Sequence, residues 1–330
     1  MDKIYSPILL LFIALLFCIH RHYTKIGLDY LLNQIGITWY AIFDKLAVVK
    51  APKDKFDFRP PSKVDAKKFI APFKFYFAPQ YFGIDEIDAS RPAMYVTNHT
   101  VLGLLDGYPF AVELYLRKGI LLRGLTDSMH HQIPYWRDYL KNRLGGVEAS
   151  RENCQVLMER GDSMIVFPGG TREICKKKGD EYVLKWSDRT GFVRMAMKNG
   201  YDIIPVAAVG GEEAYTVVKD SNDFIKESAL AKVLKQTGLL KTIFKDGELI
   251  PPIIHGIGNT IIPRPEKLYF AFGKRISTKQ HKNKFEDKET LELIKNKVEA
   301  EMYKMFLKLF DIKKNDKNIS PIRKFLTSGK

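Results

Sequence analysis

Short apolar runs alternate with amphipathic stretches along most of this chain. Five runs rich in β-branched or aromatic residues have the length of buried strands, namely 93–97, 120–125, 164–167, 203–209 and 268–272. An aromatic stretch at 73–87 is interpreted as an edge strand leading into a turn. The segments between the runs place apolar residues three and four apart, as helices do. Strands and helices alternating in this way predict an α/β fold, with a mainly parallel central sheet flanked by helices.

The first fifty residues follow a different pattern. Ile4–Ile19 is a run of sixteen residues without a charge. As a helix it would span about 24 Å, which is short of a hydrocarbon core of about 30 Å. A second stretch, 28–42, predicts an amphipathic helix with a wide apolar stripe. We therefore predict N-terminal membrane-associated helices over residues 1–49, either spanning the bilayer or lying in its interface. A buried core helix is the alternative for Ile4–Ile19, and packing against the main domain is the alternative for 28–42.

Composition divides the remainder of the chain into three parts. Residues 50–72, rich in Lys, Asp and Pro at their start, are predicted to be a linker, and 73–312 to be the main domain. A long helix is predicted at 287–310. The final segment, 313–330, is a basic tail that could contact acidic lipid head groups. More basic residues follow the apolar N-terminal run than precede it, which predicts a membrane protein whose main domain is cytosolic.

The net charge of the chain indicates which classes of binding partner to expect. A formal net charge of +15 predicts a negatively charged partner, such as a membrane surface, a phosphorylated substrate or nucleic acid. Zinc-finger spacing and an aromatic RNA-binding pattern are both lacking, so we predict no nucleic-acid partner. The three cysteines form no C-x-x-C pair, which favours a reducing compartment. His130 and His131 have no third ligand at a helical spacing, so they are interpreted as solvent-facing and no metal site is predicted.

A histidine and an aspartate follow the first of the buried runs. His99 comes two positions after the end of the run at 93–97, and Asp106 stands seven positions later, before Gly107 and Pro109. On one continuous helix the two Cα atoms would be about 10 Å apart, too far for a direct hydrogen bond. We therefore predict a loop after His99 and a helix capped by Asp106, so that His99 folds back to meet the carboxylate. Such a pair can act as a general base and its orienting acid. A helix cap beside an ordinary strand-end histidine is the alternative.

A second informative segment follows the run at 164–167. Pro168-Gly169-Gly170 lets backbone N–H groups approach a ligand closely, and Arg172 offers a planar set of donors suited to phosphate, with Glu173 beside it. A tight structural turn with a surface ion pair explains this segment as well. The charged stretch 174–185, which includes Lys176–Lys178, is interpreted as a solvated loop or as a basic rim near an anionic substrate.

Taken in order, these segments resemble the glycerolipid acyltransferase superfamily, which includes the bacterial PlsC enzymes. The blocks that carry the resemblance are Asn98-His99 with its downstream acid, Phe167–Glu173 and Ile203–Val206. They are most similar to the diacylglycerol-acyltransferase-like branch, which includes plant phytyl ester synthases and single-domain membrane acyltransferases. The resemblance covers about residues 76–276.

The resemblance implies a glycerolipid acyltransferase fold and roles for individual residues. His99 would be the general base that deprotonates an acceptor hydroxyl for attack on an acyl-CoA thioester, and Asp106 would orient it. Six residues separate the two here, against four in the common family pattern. Gly169 replaces the Glu of the PlsC block Phe-Pro-Glu-Gly-Thr-Arg, whereas Arg172 is retained and Glu173 matches the Gly-Gly-x-x-Glu form. This departure favours a neutral acceptor, such as diacylglycerol or a long-chain alcohol, over a lysophospholipid.

The expected activity is therefore that of a membrane-bound O-acyltransferase acting on a lipid hydroxyl, with acyl-CoA as co-substrate and no other cofactor. Gly169, Gly170, Arg172 and Glu173 are the expected substrate-binding residues, with the glycine N–H groups as candidate oxyanion donors. In a eukaryote the expected location is the endoplasmic reticulum. A thioesterase or lipase using the same histidine, and a non-enzymatic lipid-binding protein, remain as alternatives.

Overall fold

The structure, a computed structural model, describes residues 54, 56–103, 105–132, 136–242 and 244–327. The predicted membrane helices at 1–49 lie outside these residues. Within the described ranges, none of the helices combines the length and the apolar character needed to cross a bilayer.

Nine strands are present in the described part of the chain. They are β1 (Gln80–Phe82), β2 (Ala93–Thr97), β3 (Leu122–Thr126), β4 (Val147–Glu148), β5 (Ser163–Val166), β6 (Asp202–Val209), β7 (Thr216–Lys219), β8 (Ile253–His255) and β9 (Tyr269–Phe272). Seven of them form a sheet in the order β1-β9-β6-β2-β5-β3-β4, whereas β7 and β8 form a separate antiparallel pair. Within the large sheet only the β6–β9 pairing is antiparallel. The predicted mainly parallel sheet is thus confirmed.

Helices cover both faces of this sheet. In chain order they are α1 (Lys63–Phe77), α2 (Gly107–Lys118), α3 (Trp136–Arg143), α4 (Arg151–Glu159), α5 (Thr171–Ile174), α6 (Gly191–Asn199), α7 (Ser221–Glu227), α8 (Ala229–Gln236), α9 (Leu239–Thr242), α10 (Lys288–Asn315) and α11 (Pro321–Thr327). Side chains of α4, α6 and α10 pack with Met94 and Val96 on one face. Those of α1 and α2 pack with Tyr95 on the other face. Alternate residues of β2 therefore serve two separate cores.

The position of β2 explains why the chemistry is concentrated after it. All five of its residues are buried, as expected for a central parallel strand covered by helices on both faces. It lies between β5 and β6, with Val96 opposite Val166 and Thr97 opposite Val206. The carboxyl ends of three parallel strands therefore meet at one edge. Open α/β sheets place their ligand sites outside this edge.

The stretch at 73–87 contains the predicted edge strand, since β1 lies at one edge of the sheet, but the strand occupies only a small part of the stretch. Helix α1 extends to Phe77, and only Gln80–Phe82 is a strand. Ser62 caps α1 by accepting a hydrogen bond from Asp65 N–H, and Ala66, Ile70 and Phe77 are buried at helical spacings. Aromatic residues on both sides of the helix made the segment look alternating. The predicted linker at 50–72 is consequently wrong in its second half, where α1 begins.

The predicted basic tail is partly attached to the domain. Helix α10 continues to Asn315, and the Asp316 carboxylate accepts hydrogen bonds from Lys267 Nζ (2.5 Å) and Tyr269 Oη (2.8 Å). Tyr269 belongs to β9, so the chain beyond α10 is held at the end of a sheet strand. Sequence composition indicated only its charge.

Candidate active site

His99 lies in the loop after β2, where its ring meets Asp106 as predicted. The distance from His99 Nδ1 to Asp106 Oδ2 is 3.0 Å. Helix α2 starts at Gly107, and Asp106 is its N-cap residue, accepting a hydrogen bond from Gly107 N–H (2.6 Å). The intervening loop turns sharply, because Leu102 and Gly103 both adopt positive φ angles of 61° and 65°. The loop therefore brings His99 and Asp106, which are seven positions apart, into contact. Asp106 both caps the helix and contacts the histidine.

The Asp106 carboxylate is buried, but it accepts several hydrogen bonds. Its Oδ2 also accepts a hydrogen bond from Thr100 N–H (2.8 Å), and the residue is only 3% exposed. Burial alone would raise the pKa of Asp106. The charge of the His99 ring and hydrogen bonds from His99, Thr100 and Gly107 outweigh burial and lower that pKa below its ordinary value. An ionised carboxylate thus faces the histidine ring at neutral pH.

This contact determines what the imidazole can do. An ionised carboxylate only accepts hydrogen bonds, so the His99 tautomer that fits carries its proton on Nδ1. Nε2 then bears a lone pair and can take a proton from a hydroxyl group. The His99 side chain is 14% exposed. The pair therefore has the geometry of a general base with its orienting acid.

The His99 ring is also fixed on its face. It stacks on Phe167, with ring centroids 3.7 Å apart and an angle of 6° between the planes. Phe167 immediately follows β5, the strand next to β2. Gly107 leaves room for this ring, since a Cβ at that position would lie 2.6 Å from Phe167 Cζ. The aromatic residue of the Phe167–Glu173 segment thus positions the histidine.

Glu173 lies beneath this loop rather than facing a substrate. The residue is 0% exposed, and its two oxygens accept hydrogen bonds from His99 N–H (2.7 Å) and Lys185 N–H (3.0 Å). Burial raises the pKa of Glu173, against the opposing effect of the Lys176 ammonium. The prediction that Glu173 binds substrate does not fit this position. Its contacts make it a positioning residue for the histidine loop.

Two further buried charges hold the same loop, and sequence reasoning missed both of them. Lys176 Nζ donates to the His99 carbonyl (2.8 Å) and pairs with Glu212 Oε1. Glu212 Oε2 in turn accepts a hydrogen bond from Val101 N–H (3.0 Å). Both side chains are 2% exposed. The interpretation of Lys176 as part of a solvated loop or rim is therefore wrong. The one signal in the sequence is that Glu212 follows the buried run at 203–209, because open α/β sheets place their ligand sites at the carboxyl ends of the strands.

The Arg189 guanidinium holds the Pro168–Gly170 turn in place. Arg189 Nη1 donates to the carbonyl oxygens of Pro168 (3.0 Å) and Gly169 (2.7 Å). Gly170 N–H donates to Phe167 O (3.0 Å), which closes the turn. Gly170 N–H is therefore engaged within the turn and does not fit the role of oxyanion donor. Gly169 is the remaining candidate of the two.

Arg172, the expected phosphate ligand, is paired within the chain. Its Nε lies 2.7 Å from Glu248 Oε2, and its side chain is 22% exposed. Glu248 belongs to the lysine-bearing insertion between β7 and β8. The segment around Arg172 thus combines a tight turn and an ion pair, as its alternative interpretation predicted, but it does so next to the His99 loop.

Gly169 offers a direct test of how closely this loop is packed. A Cβ at residue 169 would lie 2.2 Å from Glu173 Cδ, so Gly169→Ala is expected to displace the buried carboxylate. We expect a loss of about 1–3 kcal/mol in the free energy of unfolding, as for overpacked sites, measured by urea denaturation. Gly191→Ala is the matched control, because a Cβ there meets nothing within 4 Å. Equal stability of the two variants would contradict the packing described here.

The histidine pair considered as a metal site is placed differently from the prediction. His130 and His131 are partly buried rather than solvent-facing, and His131 Nε2 lies 2.7 Å from Thr126 Oγ1. Among the described residues, no group of three or more His, Cys, Asp or Glu side chains is arranged to hold a metal ion.

Comparison with known proteins shows which protein family this chain resembles. Phytyl ester synthase 2 of Arabidopsis thaliana is 30% identical over 230 residues, which are 66% of this chain and 32% of that protein. Diacylglycerol O-acyltransferase 2B of Umbelopsis ramanniana is 28% identical over 99 residues, 29% of this chain and 28% of that protein. The chain thus spans about a third of the length of the phytyl ester synthases.

One solved structure is similar at lower identity. The 1-acyl-sn-glycerophosphate acyltransferase PlsC from Thermotoga maritima superposes with a TM-score of 0.43 at 15% identity, covering 82% of this chain and 92% of that one. The profile of the diacylglycerol acyltransferase family matches residues 96–326, from the end of β2 to α11. This match takes in more than half of the chain and includes His99, Asp106 and the Phe167–Glu173 segment. The chain therefore belongs to the diacylglycerol acyltransferase family.

Proposed function

We propose that this protein is a membrane-bound O-acyltransferase that moves a fatty acyl group from acyl-CoA to the hydroxyl of a neutral lipid. The observation that carries the proposal is the His99–Asp106 pair at the carboxyl end of β2, with Nδ1 facing an ionised carboxylate. Family membership supports acyl transfer as the reaction class. The relatives named for phytyl esters and diacylglycerol support a lipid alcohol as the acceptor.

The chemistry follows from this arrangement. His99 Nε2 takes the proton of the acceptor hydroxyl as the oxygen attacks the thioester carbonyl carbon. The tetrahedral intermediate then collapses, the C–S bond breaks, and the imidazolium returns its proton to the departing thiolate. The products are an ester and free coenzyme A. Asp106 keeps the ring in one tautomer and stabilises the imidazolium, while Phe167 and the buried Glu173 hold its position.

A neutral acceptor is supported by the pairing of Arg172. Its guanidinium contacts Glu248, so part of its charge is already balanced within the chain. A phosphorylated acceptor would have to replace that carboxylate before it could bind Arg172. A neutral diacylglycerol or long-chain alcohol meets no such competition.

The experiment that tests the proposal is a product analysis. Membranes from cells expressing the full chain are incubated with labelled acyl-CoA and either a long-chain alcohol, diacylglycerol or lysophosphatidate. We expect labelled ester that depends on the added neutral alcohol. Labelled free fatty acid formed at the same rate without acceptor would instead indicate a hydrolase. Neither product above the empty-vector level would favour a non-enzymatic lipid-binding protein.

Glu248 should govern the choice of acceptor. In Glu248→Gln the carboxylate no longer neutralises Arg172, so a lysophosphatidate phosphate can form charge-assisted hydrogen bonds with the guanidinium. We expect the ratio of lysophosphatidate to diacylglycerol acylation to rise about tenfold. Glu227→Gln is the control, since Glu227 pairs with Lys219 on the surface. An unchanged ratio in Glu248→Gln would argue against this role.

A further inference from the structure

Large apolar side chains are exposed on three adjoining elements of the structure. Phe75 on α1 is 87% exposed, and Ile322 and Phe325 on α11 are 73% and 76% exposed. Ile261 and Ile262, in the segment between β8 and β9, are 47% and 48% exposed. We call these five residues the outer apolar patch. Clustered apolar surface of this kind on a folded domain usually marks an interaction site.

Hydrogen bonds tie the three elements into one surface. Arg323 on α11 donates to the Tyr76 carbonyl (2.8 Å) and the Phe75 carbonyl (3.4 Å) at the end of α1, and to the Pro265 carbonyl. Tyr76 Oη donates to the Pro263 carbonyl (2.6 Å), next to Ile262. The exposed apolar residues lie within two positions of these bonded residues along the chain. The outer apolar patch is therefore a fixed feature of the domain.

Helix α11 directs different side chains towards α1 and away from it. Arg323 points towards α1, whereas Ile322 and Phe325, three residues apart, share another side of the helix. This part of the sequence is basic, since the last eighteen residues, 313–330, contain six Lys or Arg and one acidic residue. Lys317 and Lys324 are exposed. Exposed apolar side chains flanked by lysines are typical of a helix that lies in the interface of an anionic bilayer.

We infer that the outer apolar patch docks the domain on an anionic lipid bilayer, with α11 lying in the head-group region. Phe75, Ile322 and Phe325 enter the boundary of the acyl chains, and Lys317 and Lys324 contact lipid phosphates. The surplus of positive charge around the patch favours a lipid surface over a second copy of this chain, which would carry the same charge.

The test measures lipid contact at single positions of the full chain. Ile322→Cys and Leu307→Cys are each labelled with an environment-sensitive fluorophore in a Cys18→Ser background, because Cys154 and Cys175 are buried. The proteins are reconstituted into phosphatidylcholine vesicles with or without phosphatidylglycerol, carrying a quencher on the acyl chains. Leu307 on α10 is the matched control, since it is 70% exposed and lies outside the patch. We expect quenching at residue 322 but not at 307, and stronger quenching with phosphatidylglycerol.

A paired substitution tests the same surface by another measurement. Ile322→Asp with Phe325→Asp should weaken salt-sensitive binding to phosphatidylglycerol vesicles about tenfold, whereas Leu293→Asp with Leu307→Asp should not. Melting temperatures show whether each variant is folded. Equal quenching at residues 322 and 307 would overturn the inference. So would concentration-dependent self-association through the patch, shown by cross-linking of the unlabelled Ile322→Cys variant.

Discussion

His99→Ala is expected to reduce ester formation by about 10²–10⁴-fold, the usual contribution of a general base. Without the imidazole, no group at the end of β2 receives the hydroxyl proton as the thioester is attacked. The rate is measured with labelled acyl-CoA and a long-chain alcohol. Circular dichroism establishes that the variant is folded. Ester formation at the wild-type rate would exclude His99 as the base.

Two further variants distinguish a catalytic role of His99 from a structural one. His131→Gln changes another partly buried histidine, bonded to Thr126, and should retain activity within about threefold because it lies outside the site. Asp106→Ala should lower activity strongly and also reduce the free energy of unfolding by about 1–2 kcal/mol, since the side chain caps α2 and accepts from Thr100 N–H. His99→Ala should not reproduce the loss of the cap.

Lys176→Met is expected to have the largest effect on stability, lowering the free energy of unfolding by about 3–5 kcal/mol. The substitution leaves Glu212 as an unpaired buried charge and removes the donor to the His99 carbonyl. The His99 loop then loses one of its supports, so activity per folded molecule should fall as well. Urea denaturation and the rate of ester formation measure the two effects.

Lys178→Met is the control for this substitution. Lys178 is two residues away and pairs with Asp223 at the surface, where an ion pair contributes about 0–1 kcal/mol. Combining Lys176→Met with Glu212→Gln should recover part of the stability, because the amide oxygen can still accept from Val101 N–H and no unpaired charge stays buried. Lys176→Met with wild-type stability would show that the buried pair does not support the loop.

Local patterns were sufficient for much of the fold. The runs that became β2, β3, β5, β6 and β9 were recognisable because strands inside a sheet that is covered by helices on both faces are mainly apolar. In segment 73–87 the predicted edge strand covers only Gln80–Phe82, whereas residues 73–77 belong to α1, where aromatic residues on two sides of the helix imitate alternation. The pattern there could not indicate which faces would be covered.

The candidate site likewise contains some contacts that local patterns predicted and others that they did not. Asp106 was predicted as a helix cap that meets His99, because Asp-Gly followed by Pro is a local pattern and helix geometry excluded a continuous helix. Lys176 and Glu212 could not be predicted as partners. They are 36 residues apart in the chain and meet only because their segments follow strands on either side of β2. In the sequence, Lys176 is one of three consecutive lysines, and nothing local distinguishes a buried lysine from exposed ones.

By itself, the amino-acid sequence determined the α/β class of this protein, the positions of five of its strands along the chain, and the pairing of a histidine with an acid after the first central strand. These features depend on periodicity, capping and spacing, which act over a few residues. Only the tertiary structure decided that Glu173, Lys176 and Glu212 hold the histidine loop and that Arg172 is paired with Glu248. Those contacts join distant segments, and they depend on strand order in space and on the burial of charged groups, which local patterns do not encode.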